Sequence, residues 1–325
     1  MLKLLANGPN TKIKGGTVLK EKVKKSKLNE FSFRNRYSVY LMLFPFLSLF
    51  VLFTILPIIT SVILSFFNFD MVSIPEFAGL DNYVRMLFDD DIFPIVAKNA
   101  LFFAIITGPL GFIIAFVLAW FINEFNPMVR TLLTFMFYAP SLVGNAYYIW
   151  QVAFSSDSYG YVNNILISLG LITEPILWLQ NADYVMMIII VVQLWQNMGI
   201  SFLSNIAGLQ NISPELYEAG AVDGIKNRWQ ELWYITLPAM KNMLLFSAVM
   251  QIQASFSAGA ISTAMAGYPS VEYAADMIVQ YMSDVGTTKF EMGYASSLSV
   301  VLFAMMFAAR MLIGKILGTK KGGNS

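Results

Sequence analysis

The chain has 325 residues, of which 57% are apolar and only 13% charged, with a net charge of +1. Soluble domains carry about 25% charged residues, so this composition reads as a membrane protein. Cysteine and histidine are both absent, which excludes disulfides, thiolate metal sites and imidazole proton transfer. A metal site, a nucleotide-binding Gly-x-x-x-x-Gly-Lys-Ser/Thr loop and a nucleophile paired with a base are likewise missing from the pattern, so neither an enzyme nor a nucleic-acid partner is expected.

In chain order, residues 1–36 form a lysine-rich segment containing Gly15-Gly16, expected to be a disordered basic tail that rests on anionic lipid or docks specifically. Its basic region is too long, and its apolar region too poor in cleavage signals, for a secretory leader. Six apolar runs follow, at about 39–66, 99–122, 131–154, 184–207, 243–265 and 292–313. Each approaches the ~20 residues a bilayer crossing requires, and the last is free of charge as far as Ala309. Pro45, Pro57, Pro109 and Pro140 lie inside these runs, where neighbouring helices can satisfy the freed carbonyls. The expected fold is therefore all-α, a bundle of six transmembrane helices over residues 37–317, followed by a short tail at 318–325.

Charge sets the expected orientation. Ten of the 21 lysines and arginines lie in the first 36 residues, and eight more fall near Arg130, in Lys226–Lys241 and in Arg310–Lys321. The other side holds only Arg85, Lys98 and Lys289, together with 13 of the 20 acidic residues. By the positive-inside rule both termini are cytoplasmic. Among the connections, Ser155–Asp183 carries Val162, Ile165, Leu166 and Leu169 on one face of a short helix, either interfacial or buried.

The spans are bare of ionisable groups, which argues against a proton relay and leaves sodium coordination by backbone carbonyls open. They do contain uncharged polar residues. Gln193, Gln196 and Asn197 share one helix face, Gln251 and Ser255 another, and Ser141 and Asn145 lie in the third run. Amides interleaved with Trp195, Tyr147 and Tyr148 suit a hydroxyl-rich neutral ligand; equally, such residues hold helices together. Residue by residue the two readings stay open.

The connection at 208–242 is the longest on the cytoplasmic side. Ser213-Pro214-Glu215 has the N-cap, first-turn proline and dipole-complementing acid of a helix start, and Asp223-Gly224 its stop. A second helix from Asn227 through Trp229, Leu232 and Trp233 ends at Leu237-Pro238, giving a helix-turn-helix. Helices under ~12–15 residues are marginal alone, so this pair requires a packing partner, in this chain or another. Glu218-Ala219-Gly220, Gly224 and Ile235-Thr236-Leu237-Pro238 resemble the EAA loop of ABC-importer permeases. Gly220 replaces the second alanine, and the interval from glycine to isoleucine is one residue longer than usual, an excess expected in the turn at Lys226-Asn227. Gly79-Leu-Asp-Asn-Tyr83, Gly208-Leu-Gln210 and Gly293-Tyr-Ala295 are similar to the sugar-importer branch.

That resemblance implies a permease with no cofactor of its own, ATP being bound by two partner ATPase subunits. A second, related permease subunit, an extracytoplasmic solute-binding protein, the sugar itself and the lipid bilayer complete its partners. Glu215, Glu218, Ala219, Gly220, Asp223, Gly224 and Pro238 would form the ATPase-coupling element. Ser141, Asn145, Gln193, Gln196, Asn197, Gln251 and Ser255 would line the substrate path. The alternatives are the same architecture moving another solute such as glycerol phosphate, an ion-driven secondary carrier, or a structural scaffold.

Overall fold

The computed structural model describes residues 38–317, so the expected tails at 1–36 and 318–325 lie outside the described residues. The chain divides into two compact units, residues 1–60 and 61–325. In the first, residues 38–60 are helical and exposed throughout, as part of a long apolar helix Ser38–Leu64 with a π-turn at Val51–Ile55.

The second unit is mostly helical. Counting Ser38–Leu64, five helices among the described residues are long and apolar enough to cross a membrane, the others being Phe93–Asn123, Ala182–Gln210, Lys241–Ala266 and Met292–Lys315. Each coincides with an apolar run to within a few residues. The expected third run, 131–154, does not form one continuous helix. It is a helix Pro127–Leu142, a non-helical stretch, and a short helix Tyr148–Ala153. Pro140 lies within its last turn, and Gly144 follows in the break. The all-α expectation also needs one amendment: a two-residue antiparallel ladder pairs Phe67 with Phe77 and Asn68 with Glu76.

Phe93–Asn123 is the axis of this unit. It packs against Ile200–Gln210 and Lys241–Phe256, which also pack against each other. Small residues make that approach possible. Ala100, Ala104, Thr107, Gly108, Gly111, Ala115 and Ala119 are all buried and recur at helical spacing along one side. At Gly111 the side chain of Gln251 occupies the space a Cβ would need. At the far side, Met292–Leu317 packs on Lys241–Phe256 and on the amphipathic helix Ile278–Thr287.

At the end of the bundle away from residues 211–240, single side chains organise the loops. The expected short helix is present as Tyr161–Ser168, and its Asn163 is fully buried. The Asn163 amide donates to the carbonyls of Ser155, Asp157 and Ile176, and its oxygen accepts from the Ile176 amide and the Trp178 indole. Asp90 accepts from the hydroxyls of Tyr281 and Tyr294, and from the amides of Ile92 and Phe93.

Candidate functional site

Two features stand out, an exposed helix pair at one end and a polar cleft inside the bundle. In the pair, Pro214–Val222 begins with proline in its first turn and Glu215 beside it, as the sequence predicts, although Ser213 at the cap position makes no side-chain bond. The helix stops in a Schellman arrangement. Gly224 takes φ +93°, the Ile225 amide donates to the Gly220 carbonyl at 2.9 Å, and the Gly224 amide to Ala221 at 3.3 Å. Asn227 caps the second helix by accepting from the Gln230 amide at 2.9 Å.

The turn between the helices, where the residue in excess of the EAA spacing is expected, is closed by the glycine stop and the asparagine cap. The second helix contains a π-turn at Leu232–Thr236, where the Leu237 amide donates to the Leu232 carbonyl. Ile235 is buried on the first helix, and a Cβ at Gly220 would come within 2.6 Å of the Ile235 Cδ1. The missing methyl at Gly220 is therefore the seat of the isoleucine. The Tyr217 hydroxyl and Thr236 Oγ1, 3.1 Å apart, tie the two helices together.

Two contacts fasten the pair to the end of Phe93–Asn123. Arg228 bridges Glu124 and, at 2.7 Å, Glu231, and the Trp229 ring lies 5.4 Å from Trp120. The outer face is left open. Glu215, Glu218, Ala219, Asp223, Gly224 and Pro238 are exposed, as are Leu216, Val222, Trp233 and Tyr234. Among the described residues neither Glu215 nor Glu218 has an ion-pair partner. Of the seven residues expected here, only Gly220 faces inward.

The cleft lies where the helical course breaks at three places. One helix ends at Leu142 and its successor begins at Tyr148; another ends at Gln196 and resumes at Ile200; the third ends at Phe256 and resumes at Gly259. A cleft of about 260 Å³ opens between these breaks, lined by Ser141, Gly144, Tyr147, Gln193, Gln196, Asn197, Ala254, Ser257 and Ala258, among others. Helix ends carry amides and carbonyls without intrahelical partners, and non-helical backbone at membrane depth is tolerated where it lines a cavity. The Asn197 side-chain amide is buried and has no partner among the described residues.

Four of the seven expected path residues, Ser141, Gln193, Gln196 and Asn197, thus meet in one cleft. Asn145 stands next to it, accepting from the Tyr147 hydroxyl at 2.9 Å. Gln251 and Ser255 do not line it. Both are 1% exposed and turned toward Phe93–Asn123, with Gln251 over Gly111 and Ser255 donating to the Gln251 carbonyl at 3.0 Å. The reason is helical phase. They occupy the face that meets the small-residue stripe, whereas Ala254, Ser257 and Ala258 of the same span face the cleft. Tyr147 and Ser257 join the site. Their chemistry was legible, but the helix breaks that bring them in were not.

A family-wide profile of binding-protein-dependent transport system inner membrane components matches residues 108–319. The lactose transport system permease LacF of Rhizobium radiobacter is 31% identical over 67% of this chain and 73% of its own. The arabinooligosaccharides transport system permease AraP of Bacillus subtilis (strain 168) is 27% identical over 95% of this chain and 98% of its own. Among solved structures, a bacterial alginate ABC transporter in complex with an alginate pentasaccharide-bound periplasmic protein shares the fold. Its TM-score is 0.72 at 23% identity, covering 88% of this chain and 95% of that one.

Proposed function

The chain belongs to the family of binding-protein-dependent transport system inner membrane components, and on that premise we propose that it is a permease subunit of an ATP-driven sugar or oligosaccharide importer. It is a membrane-embedded transporter component and not an enzyme. The observation that carries the sugar reading is the cleft at the three helix breaks. It gathers two glutamines, an asparagine, two serines and a tyrosine with no lysine or arginine. Amides and hydroxyls both donate and accept, which matches the alternating demands of a sugar's hydroxyls. An aromatic ring supplies a flat apolar surface, and pockets of this mixed kind are the usual form of a small-molecule site.

In this reading the third crossing is the broken pair Pro127–Leu142 and Tyr148–Ala153, which brings the spans to six and puts both termini in the cytoplasm. Energy comes from two partner ATPases engaged by the exposed face of residues 213–238. Glu215 and Glu218, without ion-pair partners among the described residues, meet basic residues there. A second permease completes the path, and a solute-binding protein delivers the sugar. The relatives named for lactose and arabinooligosaccharide transport support the substrate class. Glycerol phosphate is disfavoured because no cation lines the cleft.

The test is ATP-driven uptake by the assembled transporter in proteoliposomes. Gln196→Ala is expected to raise the apparent KM by about 5- to 30-fold, corresponding to one or two lost hydrogen bonds of ~1 kcal/mol each, with the ATPase still attached. An unchanged KM, or uptake that follows an ion gradient without ATP, would reject the proposal.

A further inference from the structure

The cleft does not end at Tyr147. Through Tyr147 and Ala260 it shares its lining with a larger cleft of about 800 Å³ on the side away from residues 211–240, and Gln151 is common to that cleft and a third of about 550 Å³. The larger one is lined by Tyr148, Gln151, Tyr268, Ser283, Asp284 and Thr288, with others. Ligand pockets usually hold ~300–1,000 Å³, so the inner cleft has room for about one sugar ring and the outer one for several more.

We propose that the outer cleft is a second saccharide subsite, and that the transported substrate is a neutral oligosaccharide whose first ring sits in the inner cleft while the following rings lie along Tyr147, Tyr148 and Tyr268. The proposal rests on the sugar reading above and adds two properties to it, length and charge.

Length follows from continuity. Tyr147 and Ala260 line both clefts, so the two adjoin at these residues. Tyr148 is half exposed and its ring lies 5.1 Å from that of Tyr147, which gives two adjacent aromatic surfaces. Tyr268 adds a third tyrosine to the lining of the outer cleft. Charge follows from what lines the clefts. None of the three contains a lysine or arginine, and the carboxylates present are Asp284 and Asp157. Asp284 is partnered by Lys289 at 3.7 Å, outside the lining. An acidic saccharide would find no cation in the lining and would bring like charge to Asp157, which has no ion-pair partner among the described residues, whereas a neutral one meets no such repulsion.

The experiment is saturation-transfer NMR on the complete purified transporter. The probes are neutral gluco-, arabino- and galacto-oligosaccharides of one to five units, with oligogalacturonides as the acidic set. In the wild type, at least one neutral series is expected to bind about fivefold or more tightly at three units than at one, with saturation on every ring. Tyr148→Ala is expected to abolish the gain with length and leave the single-ring affinity unchanged. Gln151→Ala, a smaller change, is expected to reduce it.

Equal weakening of short and long sugars by Tyr148→Ala, saturation of one terminal ring alone, or acidic chains binding as well as neutral ones would overturn the subsite. Loss of the second permease from the Tyr148→Ala complex would also overturn it, and would make the cleft a packing face between subunits. Single-ring binding that is sensitive to Gln196→Ala but independent of length would sink the subsite while sparing the sugar reading. Silence of every sugar, with Gln196→Ala also without effect, would remove both.

Discussion

Glu218 and Gly220 are neighbours in the helix Pro214–Val222, yet they face opposite ways and carry different burdens. Gly220 is buried, and its missing methyl group seats Ile235; Glu218 is exposed and has no ion-pair partner among the described residues. A side chain of the first kind holds the helix pair in shape, and one of the second kind is available to something else. Glu218→Lys is therefore expected to leave insertion and thermal stability unchanged while reducing ATPase association and transport. An interface ion pair of this kind is worth ~2–5 kcal/mol when one partner is reversed or removed, so association should fall at least tenfold. Co-purification of the ATPase from detergent, beside uptake, measures it; normal association would remove Glu218 from the interface. The same contrast separates the glutamines. Gln196 lines a cleft, while Gln251 fills the notch above Gly111 with its side-chain oxygen unpartnered among the described residues. Identical side chains one span apart thus divide between cleft-lining and helix-packing positions.

At the scale of elements, motifs that looked unrelated converge. In the segment Gly79–Tyr83, Gly79 takes φ +57°, the Asn82 amide donates to the Ser65 and Phe67 carbonyls, and Tyr83 donates to Ser65 Oγ at 2.8 Å. In Gly293-Tyr-Ala295, the Gly293 amide donates to the Phe69 carbonyl, and a Cβ at Gly293 would overlap the Phe67 carbonyl. Both motifs therefore pin the stretch Ser65–Phe69, and Tyr294 reaches Asp90. Burial opposes ionisation of Asp90, but the hydrogen bonds from Tyr281, Tyr294 and the Phe93 and Ile92 amides outweigh it, and its carboxyl is held below the usual range. A carboxyl whose folded value is depressed stabilises the fold above its unfolded value of about 3.9, and loses that contribution as pH falls through the folded value. Asp90→Asn is expected to lower stability near neutral pH by about 1 kcal/mol, a figure reduced for the group's partial exposure, and to flatten the acid limb below about pH 4. Thermal midpoints in detergent between pH 3 and 7 would show it. An acid limb as steep as that of the wild type would mean that other carboxylates dominate.

For the whole molecule, the exposed helix pair and the cleft at the helix breaks occupy different parts of the bundle. The two are linked through shared helices. Ile200–Gln210 begins at the cleft and ends just before Pro214, and Lys241–Phe256 begins just after the pair and ends at the cleft. The pair is thus joined to two of the three breaks by continuous helices. The proposed orientation is open to direct measurement because the chain has no cysteine. Tyr159→Cys, 89% exposed in the wild-type residue, is expected to react with an impermeant maleimide in intact cells. Val222→Cys, at 88%, should react only after permeabilisation. The reverse pattern would invert the assigned topology.

Much of this was legible in the amino acids because its cause is local. Apolar length marks the spans, charge asymmetry predicts their direction, and Pro214, Gly224 and Asn227 set the starts and stop of the helix pair through backbone chemistry that needs no distant partner. Ser141, Gln193, Gln196 and Asn197 were recognisable as polar residues out of place in lipid. What only the tertiary structure decided depends on neighbours far apart in sequence. Three helical runs break around one cleft, which apolar length does not register because long apolar stretches continue on both sides of each break. Gln251 and Ser255 turn to a stripe of small residues on another helix, so rotational phase, and not polarity, takes them out of the cleft. Ile235, within the π-turn at Leu232–Thr236, has a buried seat at Gly220, a contact between helices that spacing along the chain does not contain.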